Sequence, residues 1–239
     1  MYCRYHSLIS KKKIKFSEEL MRFDIRCLGV MALIGFHLAS VGLAVETEIV
    51  KIPKGKGEPV LLDGLFSPGE WDDAWQRDLG SGVRLYLKKS GGHVYIGVRY
   101  SPFKGSVADL FISPDGRAIF HLHASAQIGE RQVQETSGSW DNPEFVWGDT
   151  SDWYANEIRW NQKRMDQLIK EGHGQNEAQA MSFYRYDGFE FQIRASKFSS
   201  KSWLFRVEAP IPPDWEHPIV FPAGTMMTKT DGWLRLILD

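Results

Sequence analysis

The chain predicts an all-β protein: an antiparallel β-sandwich, jelly-roll-like, with one or two short helices. Three observations carry that expectation. Apolar and polar residues alternate with period 2 along most segments after residue 45, and these segments are rich in β-branched and aromatic residues. That is the pattern of strands with one buried face. Turn chemistry punctuates them, as in Gly91-Gly92, Pro114-Asp115-Gly116 and Asp187-Gly188. Helical signal, by contrast, is sparse.

In chain order, alternation places strands at 48–52, 83–88, 93–100, 107–112, 118–124, 127–134, 189–193, 204–209 and 233–238. Lys89-Ser90-Gly91-Gly92 joins two of them as a hairpin, because glycine tolerates the positive φ such turns need. Pro114-Asp115-Gly116 is a tight turn between two more, and Asp187-Gly188 supplies the same chemistry ahead of Phe189. Ser67-Pro68-Gly69-Glu70 reads as a helix cap, a proline at the first helical position and a first-turn carboxylate, predicting a helical turn or two through Trp75. Residues 161–171 predict a short helix capped by Asn161 and ended by Gly172. Residues 137–160 have no clean period and form a long, aromatic-rich insertion between strands; long structured loops are often functional.

Cys3 and Cys27 both precede residue 45, and all nine tryptophans follow it. Residues 21–26 carry Arg22 and Arg26 against Asp24, and residues 27–44 hold no charged side chain. With Gly42 and Ala44 at the small-residue positions, residues 1–44 are expected to be a signal peptide and upstream segment, cleaved before Val45, with Met21 the true start. His37, Ser40 and the glycines weaken the uncharged run as a membrane span, no basic cluster follows it, and no stable span is expected after cleavage. Cys27 opens the run, whereas a lipidated cysteine would close it. The expected location is secreted or periplasmic.

Residues 45–239 then form a single domain, with 22 Lys/Arg against 27 Asp/Glu. This mild acidity argues against a nucleic-acid partner. The cysteine-free domain has no disulfide and no thiolate metal site, so stability rests on core burial, for which its length suffices.

The most specific string is Leu61-Leu62-Asp63-Gly64 followed by Glu70-Trp71 and Ala74. Together with the strings at 93–100, 109–115 and 189–193, it resembles the family 9 carbohydrate-binding modules and the wider DOMON-like sandwich group, over most of residues 58–239. The resemblance implies the sandwich architecture and a buried, structural Trp71. The family's binding aromatics and calcium ligands match no motif here, so none is carried over.

The insertion contains Trp140, Phe145, Trp147, Trp153, Tyr154 and Trp160. Exposed indole and phenol rings grip sugars by packing on the C–H face of a pyranose while nearby carboxylates and amides bond the hydroxyls. Asp141, Asn142, Asp149, Asp152, Asn156 and Glu157 supply such groups. The expected ligand-binding set is Trp140, Trp147, Trp153, Tyr154, Asp141, Asn142 and Asp152, against the plainer expectation that these rings pack the loop onto the sandwich. The exposure of Trp140, Trp147 and Trp153 decides between them.

His121 and His123 share one face of a predicted strand and could hold a metal through two imidazoles, but the sequence marks no third ligand, nor an axial ligand for haem. Asp63, Asp109 and Asp115 suit a structural calcium without the spacing of a calcium loop; no other cofactor is expected. No carboxylate pair, nucleophile elbow, catalytic thiol or phosphate loop stands out. The leading functional expectation is therefore an exported, non-catalytic carbohydrate-binding domain whose partner is a glycan. A structural or protein-interaction sandwich bound to an envelope protein is the alternative. An enzyme or redox carrier on the same scaffold comes third.

Overall fold

A computed structural model describes residues 47–101, 107–136, 139–140, 143–148, 150–198, 201–211 and 214–239. The expected signal peptide and its cleavage point lie outside them. The strands are β1 (Ile49–Lys51), β2 (Trp75–Gly80), β3 (Val83–Ser90), β4 (His93–Tyr100), β5 (Ala108–Ser113), β6 (Ala118–Ala124) and β7 (Ile128–Thr136). The insertion adds β8 (Ser139–Trp140), β9 (Val146–Trp147) and β10 (Trp153–Ala155), then helices α1 (Gln162–Lys170) and α2 (Gln175–Met181). The chain closes with β11 (Gly188–Arg194), β12 (Ser202–Ile211), β13 (Asp214–Phe221) and β14 (Leu234–Ile237).

The strands form two sheets, as expected of a sandwich. The larger runs β1-β14-β12-β5-β6-β7-β8, with β13 also paired to β12 and β9 to β7; the smaller runs β10-β11-β4-β3-β2. All pairings are antiparallel except β1 with β14. The inner faces meet in one core. Leu85, Leu87, Ile96, Val98, Phe189, Phe191 and Ile193 come from the small sheet; Leu110, Ile112, Leu122, Phe205, Val207 and Leu236 come from the large one.

Alternation located the long strands but missed β2 and β13. A helical turn or two was expected from Ser67 through Trp75; residues 68–74 form consecutive turns and bends instead. Gly69 takes φ +87°, which a helix cannot contain, and β2 begins directly at Trp75. The carboxylate still caps as a capping box would, because Glu70 accepts from the Ser67 amide at 3.0 Å and from the Leu61 amide at 2.6 Å. Asn161 caps α1 as expected, its Oδ1 accepting from the Arg164 amide at 3.1 Å. α2 was not anticipated.

Trp71 is buried, but on the outer face of the small sheet rather than inside the sandwich. It stacks on Phe66 at 5.6 Å and packs against Tyr86. Its indole donates to Glu190 Oε1 at 2.9 Å. Beside it, Lys88 is fully buried, its ammonium donating to the Glu58 carbonyl at 3.1 Å, to the Glu70 carbonyl and to Asp73 Oδ1 at 3.2 Å.

Candidate functional site

The insertion returns to the small sheet as β10, whose alternation sends Trp153 and Ala155 inward and Tyr154 outward. Trp153 was expected among the exposed rings. It is 5 % exposed, stacked on Phe191 at 6.0 Å, with its indole donating to Glu130 Oε2 at 2.5 Å. The indole has a carboxylate partner within the sandwich and so can sit at the core's edge without an unmet donor. Its burial fixes β10 and leaves Tyr154, 43 % exposed, at the mouth of a cleft of about 480 Å³.

The rest of that cleft comes from three segments. Asn156, Glu157 and Arg159 continue from β10; Leu62 and Asp63 come from the Asp-Gly turn; Tyr184, Arg185 and Tyr186 lead into β11. The helical excursion between Arg159 and Tyr184 is closed at its base by the Trp160–Phe183 bridge and by the Tyr184 amide, which donates to the Arg159 carbonyl at 2.9 Å. This stem sets Tyr184, 57 % exposed, beside Arg159. Asp63 and Glu157 balance Arg159 and Arg185, so the charged side chains lining the cleft sum to zero.

A buried polar clamp supports the floor. Glu190, fully buried, accepts from the Asp63 amide at 3.2 Å and the Gly64 amide at 2.8 Å in addition to Trp71. Asn156, also buried, accepts from the Glu190 amide at 2.6 Å and donates to the Gly188 carbonyl at 3.1 Å. The Asp-Gly turn is thereby tied to β11 rather than free to move. Burial pushes the Glu190 carboxyl up to about 7, against the pull of the Trp71 indole. Burial also raises the Tyr186 phenol, which therefore remains protonated at neutral pH.

The expected site residues are dispersed. Tyr154 belongs to the cleft, and Asn156 and Glu157 join it. Asp152 takes φ +63° and pairs with Arg194 at 3.3 Å in a smaller neighbouring depression that shares Tyr154. Trp147 lies elsewhere: it is 49 % exposed on the outer face of the large sheet, packed on Phe145 and His123. Gly129 makes this possible, since a Cβ there would stand 2.7 Å from the Trp147 ring. Asp141, Asn142 and Asp149 lie outside the described residues, as does the side chain of Trp140, whose backbone pairs with Glu135. Arg159, Tyr184, Arg185 and Tyr186 were missed. The only sequence signal for them was the Tyr184-Arg185-Tyr186 alternation just before an Asp-Gly turn.

The three aspartates considered for calcium occupy separate places. Asp63 is in the cleft turn, Asp115 accepts from the Arg117 and Ala118 amides, and Asp109 meets the histidines. Among the described residues, the one convergence of metal-ligating side chains is Asp109, His121 and His123. Burial alone would raise Asp109, but the His121 and His123 imidazoles beside its carboxylate hold it at about 2. Burial lowers the His121 imidazole against the pull of Asp109.

No profile of a known family, no curated protein and no solved structure matches this chain. Its chemistry is therefore read from its own side chains. No helix among the described residues is long and apolar enough to cross a membrane.

Proposed function

We propose that this is an exported, non-catalytic carbohydrate-binding domain, and that it takes its glycan in the cleft beneath Tyr154 and Tyr184. The observation that carries this reading is the lining itself. Two exposed phenol rings stand over a charge-balanced set of Asp63, Glu157, Arg159 and Arg185. A ligand that suits such a lining is neutral and rich in hydroxyls, with apolar C–H faces for the rings. An anion or a cation would meet as much repulsion as attraction. The clamp of Glu190 and Asn156 holds the floor in place before ligand arrives, which reduces the ordering cost of binding.

A glycan array on the full chain, followed by calorimetric titration of the best hit, tests this. Tyr184→Ala and Tyr154→Ala should each weaken binding by about 10- to 30-fold, the loss of roughly a 2 kcal/mol contact ring, with little change in melting. Trp147→Ala should leave glycan affinity unchanged. Loss of affinity in Trp147→Ala with none in Tyr184→Ala would move the site to the large sheet. Absence of any glycan binding at millimolar concentration would end the carbohydrate reading. The protein-interaction reading, favoured by the adjacent exposed side chains of Val146 and Trp147, would then take its place.

A further inference from the structure

We propose that Asp109, His121 and His123 form a binding site for a divalent first-row transition-metal ion, held shut in the metal-free protein by Arg131. The inference does not depend on the glycan reading, because the cluster lies on the outer face of the large sheet and the cleft is built on the small one.

Pleating brings the three ligands together. Asp109 lies opposite His123 in the β5–β6 register, and His121 is one step along the same face of β6. One carboxylate oxygen, Asp109 Oδ1, stands 2.8 Å from His121 Nε2 and 2.8 Å from His123 Nδ1. Ligand atoms around a four-coordinate ion with bonds near 2.0–2.1 Å lie roughly 3.3 Å apart, so Asp109 Oδ1 needs to draw back from each imidazole nitrogen by only about half an ångström, and all three ligand atoms already lie within 4.8 Å of one another. Two imidazoles and one carboxylate are the donors of a borderline ion such as zinc or cobalt; calcium and magnesium prefer an all-oxygen set. Partial exposure of Asp109 and His123 leaves a path from solvent.

The hydrogen bonds around His123 point to a cation. The Ser125 hydroxyl donates to the Gln127 carbonyl at 3.0 Å, so its oxygen is an acceptor for His123 Nε2, also at 3.0 Å. Nε2 then carries the hydrogen, and in the neutral ring the lone pair sits on Nδ1. That lone pair faces the Asp109 carboxylate. Two acceptors at this separation need a cation between them, either a proton or a metal ion. A ligand histidine whose other nitrogen donates to a fixed oxygen is the usual outer arrangement of a metal site. The same commitment of the serine proton argues against a Ser125–His123–Asp109 nucleophilic relay, in which the hydroxyl would have to donate to the ring.

His121 is arranged the other way. Arg131 Nε donates to its Nδ1 at 3.1 Å, so the neutral ring carries its hydrogen on Nε2 and points it at Asp109. Binding a metal through Nε2 of the neutral ring requires that hydrogen to move to Nδ1, and Arg131 to withdraw from Nδ1 as it does. Arg131 already stacks on Phe145 at 4.5 Å, which provides it with a second partner. Arg131 is thus a latch on the site rather than a ligand.

Calorimetric titration of the metal-stripped full chain with zinc chloride, and visible absorption with cobalt chloride, test the proposal. The wild type should bind one equivalent at micromolar dissociation constant or tighter. His123→Ala and Asp109→Asn should weaken zinc by at least about 100-fold, the upper range for loss of an outer-shell partner. Ser125→Ala, which removes no ligand, should weaken it about tenfold, and Arg131→Met should tighten it about tenfold. Should a ligand variant fail to fold, zinc-induced shifts of the His121 and His123 ring nitrogen resonances in the wild type report the same contacts. No zinc bound by the wild type at about 100 μM, well above the expected range, would overturn the site. So would equal zinc affinity in the folded His123→Ala and Asp109→Asn proteins, or ring nitrogens that zinc leaves unmoved. Unchanged affinity in Arg131→Met would overturn the latch.

Discussion

At the scale of single residues, buried polar groups specify this molecule as much as apolar ones do. Trp71 contributes both ring area on Phe66 and Tyr86 and a hydrogen bond to Glu190. Trp71→Ala should therefore lower stability by about 3–5 kcal/mol in urea unfolding, and Trp71→Phe, which keeps most of the ring, by clearly less. Equal losses would mean that the indole hydrogen bond dominates. Lys88 is the reverse case, a cation in the interior with two carbonyls and Asp73 as its partners. Lys88→Ala should cost about 1–3 kcal/mol, because it leaves the Glu58 and Glu70 carbonyls without this donor, while Asp73 keeps the Lys56 and Gly57 amides. A variant within error of wild type would show the buried cation to be dispensable. Both residues were legible as types in the sequence. Only Trp71 was legible as buried, because a lysine in an alternating strand ordinarily points to water.

At the scale of elements, close approaches decide where the insertion's rings end up. β9 docks on β7 through Trp147 over Gly129. Gly129→Ala would place a methyl group 2.7 Å from that ring. The expected result is displacement of Trp147 and a loss of roughly 1 kcal/mol or more in stability. The Trp147 indole signal in an amide correlation spectrum should move toward a solvent-exposed position; an unmoved signal would show that the strand yields instead. The insertion's strands are two or three residues long, too short to leave a periodic trace, which is why residues 137–160 could be recognised as unusual but not resolved. β13 escaped notice for a related reason. Pro218 interrupts its alternation, as proline does on a strand paired along one side.

At the scale of the whole molecule, carboxylates with shifted titration and the buried His121 imidazole contribute to the pH dependence of stability. The Glu190 carboxyl is raised by burial from an ordinary 4.5 to about 7. The folded state therefore holds its proton more tightly than the unfolded state. The stability this gives is complete below about pH 4.5 and is lost as pH rises through about 7. Asp73 and Asp115 act oppositely. Burial would raise Asp73, but the Lys56 and Gly57 amides hold it low; the Ala118 and Arg117 amides hold Asp115 low. Their contribution is present above about pH 4 and fades as the solution becomes more acidic. Glu190 favours a higher urea midpoint at about pH 5 than at about pH 8, while His121, which burial lowers, acts oppositely in the same window, so Glu190→Gln should lower the midpoint at about pH 5 relative to that at about pH 8. A wild-type slope that persists in Glu190→Gln would assign the effect to another group.

The sequence by itself determined the sandwich, its long strands and the capped helix at Asn161. Each depends on local periodicity or on turn and cap chemistry, which adjacent residues express directly. Tertiary structure alone decided the places where side chains meet. Asp109 joins His121 and His123 because strand register sets β5 against β6. Trp153 is buried because Phe191 and Glu130 receive it. Tyr184 lines the same cleft as Tyr154 because a helical excursion closes on its own stem. Such contacts join residues from separate strands and segments, and their distances follow from how the sheets pair and stack rather than from any spacing along the chain.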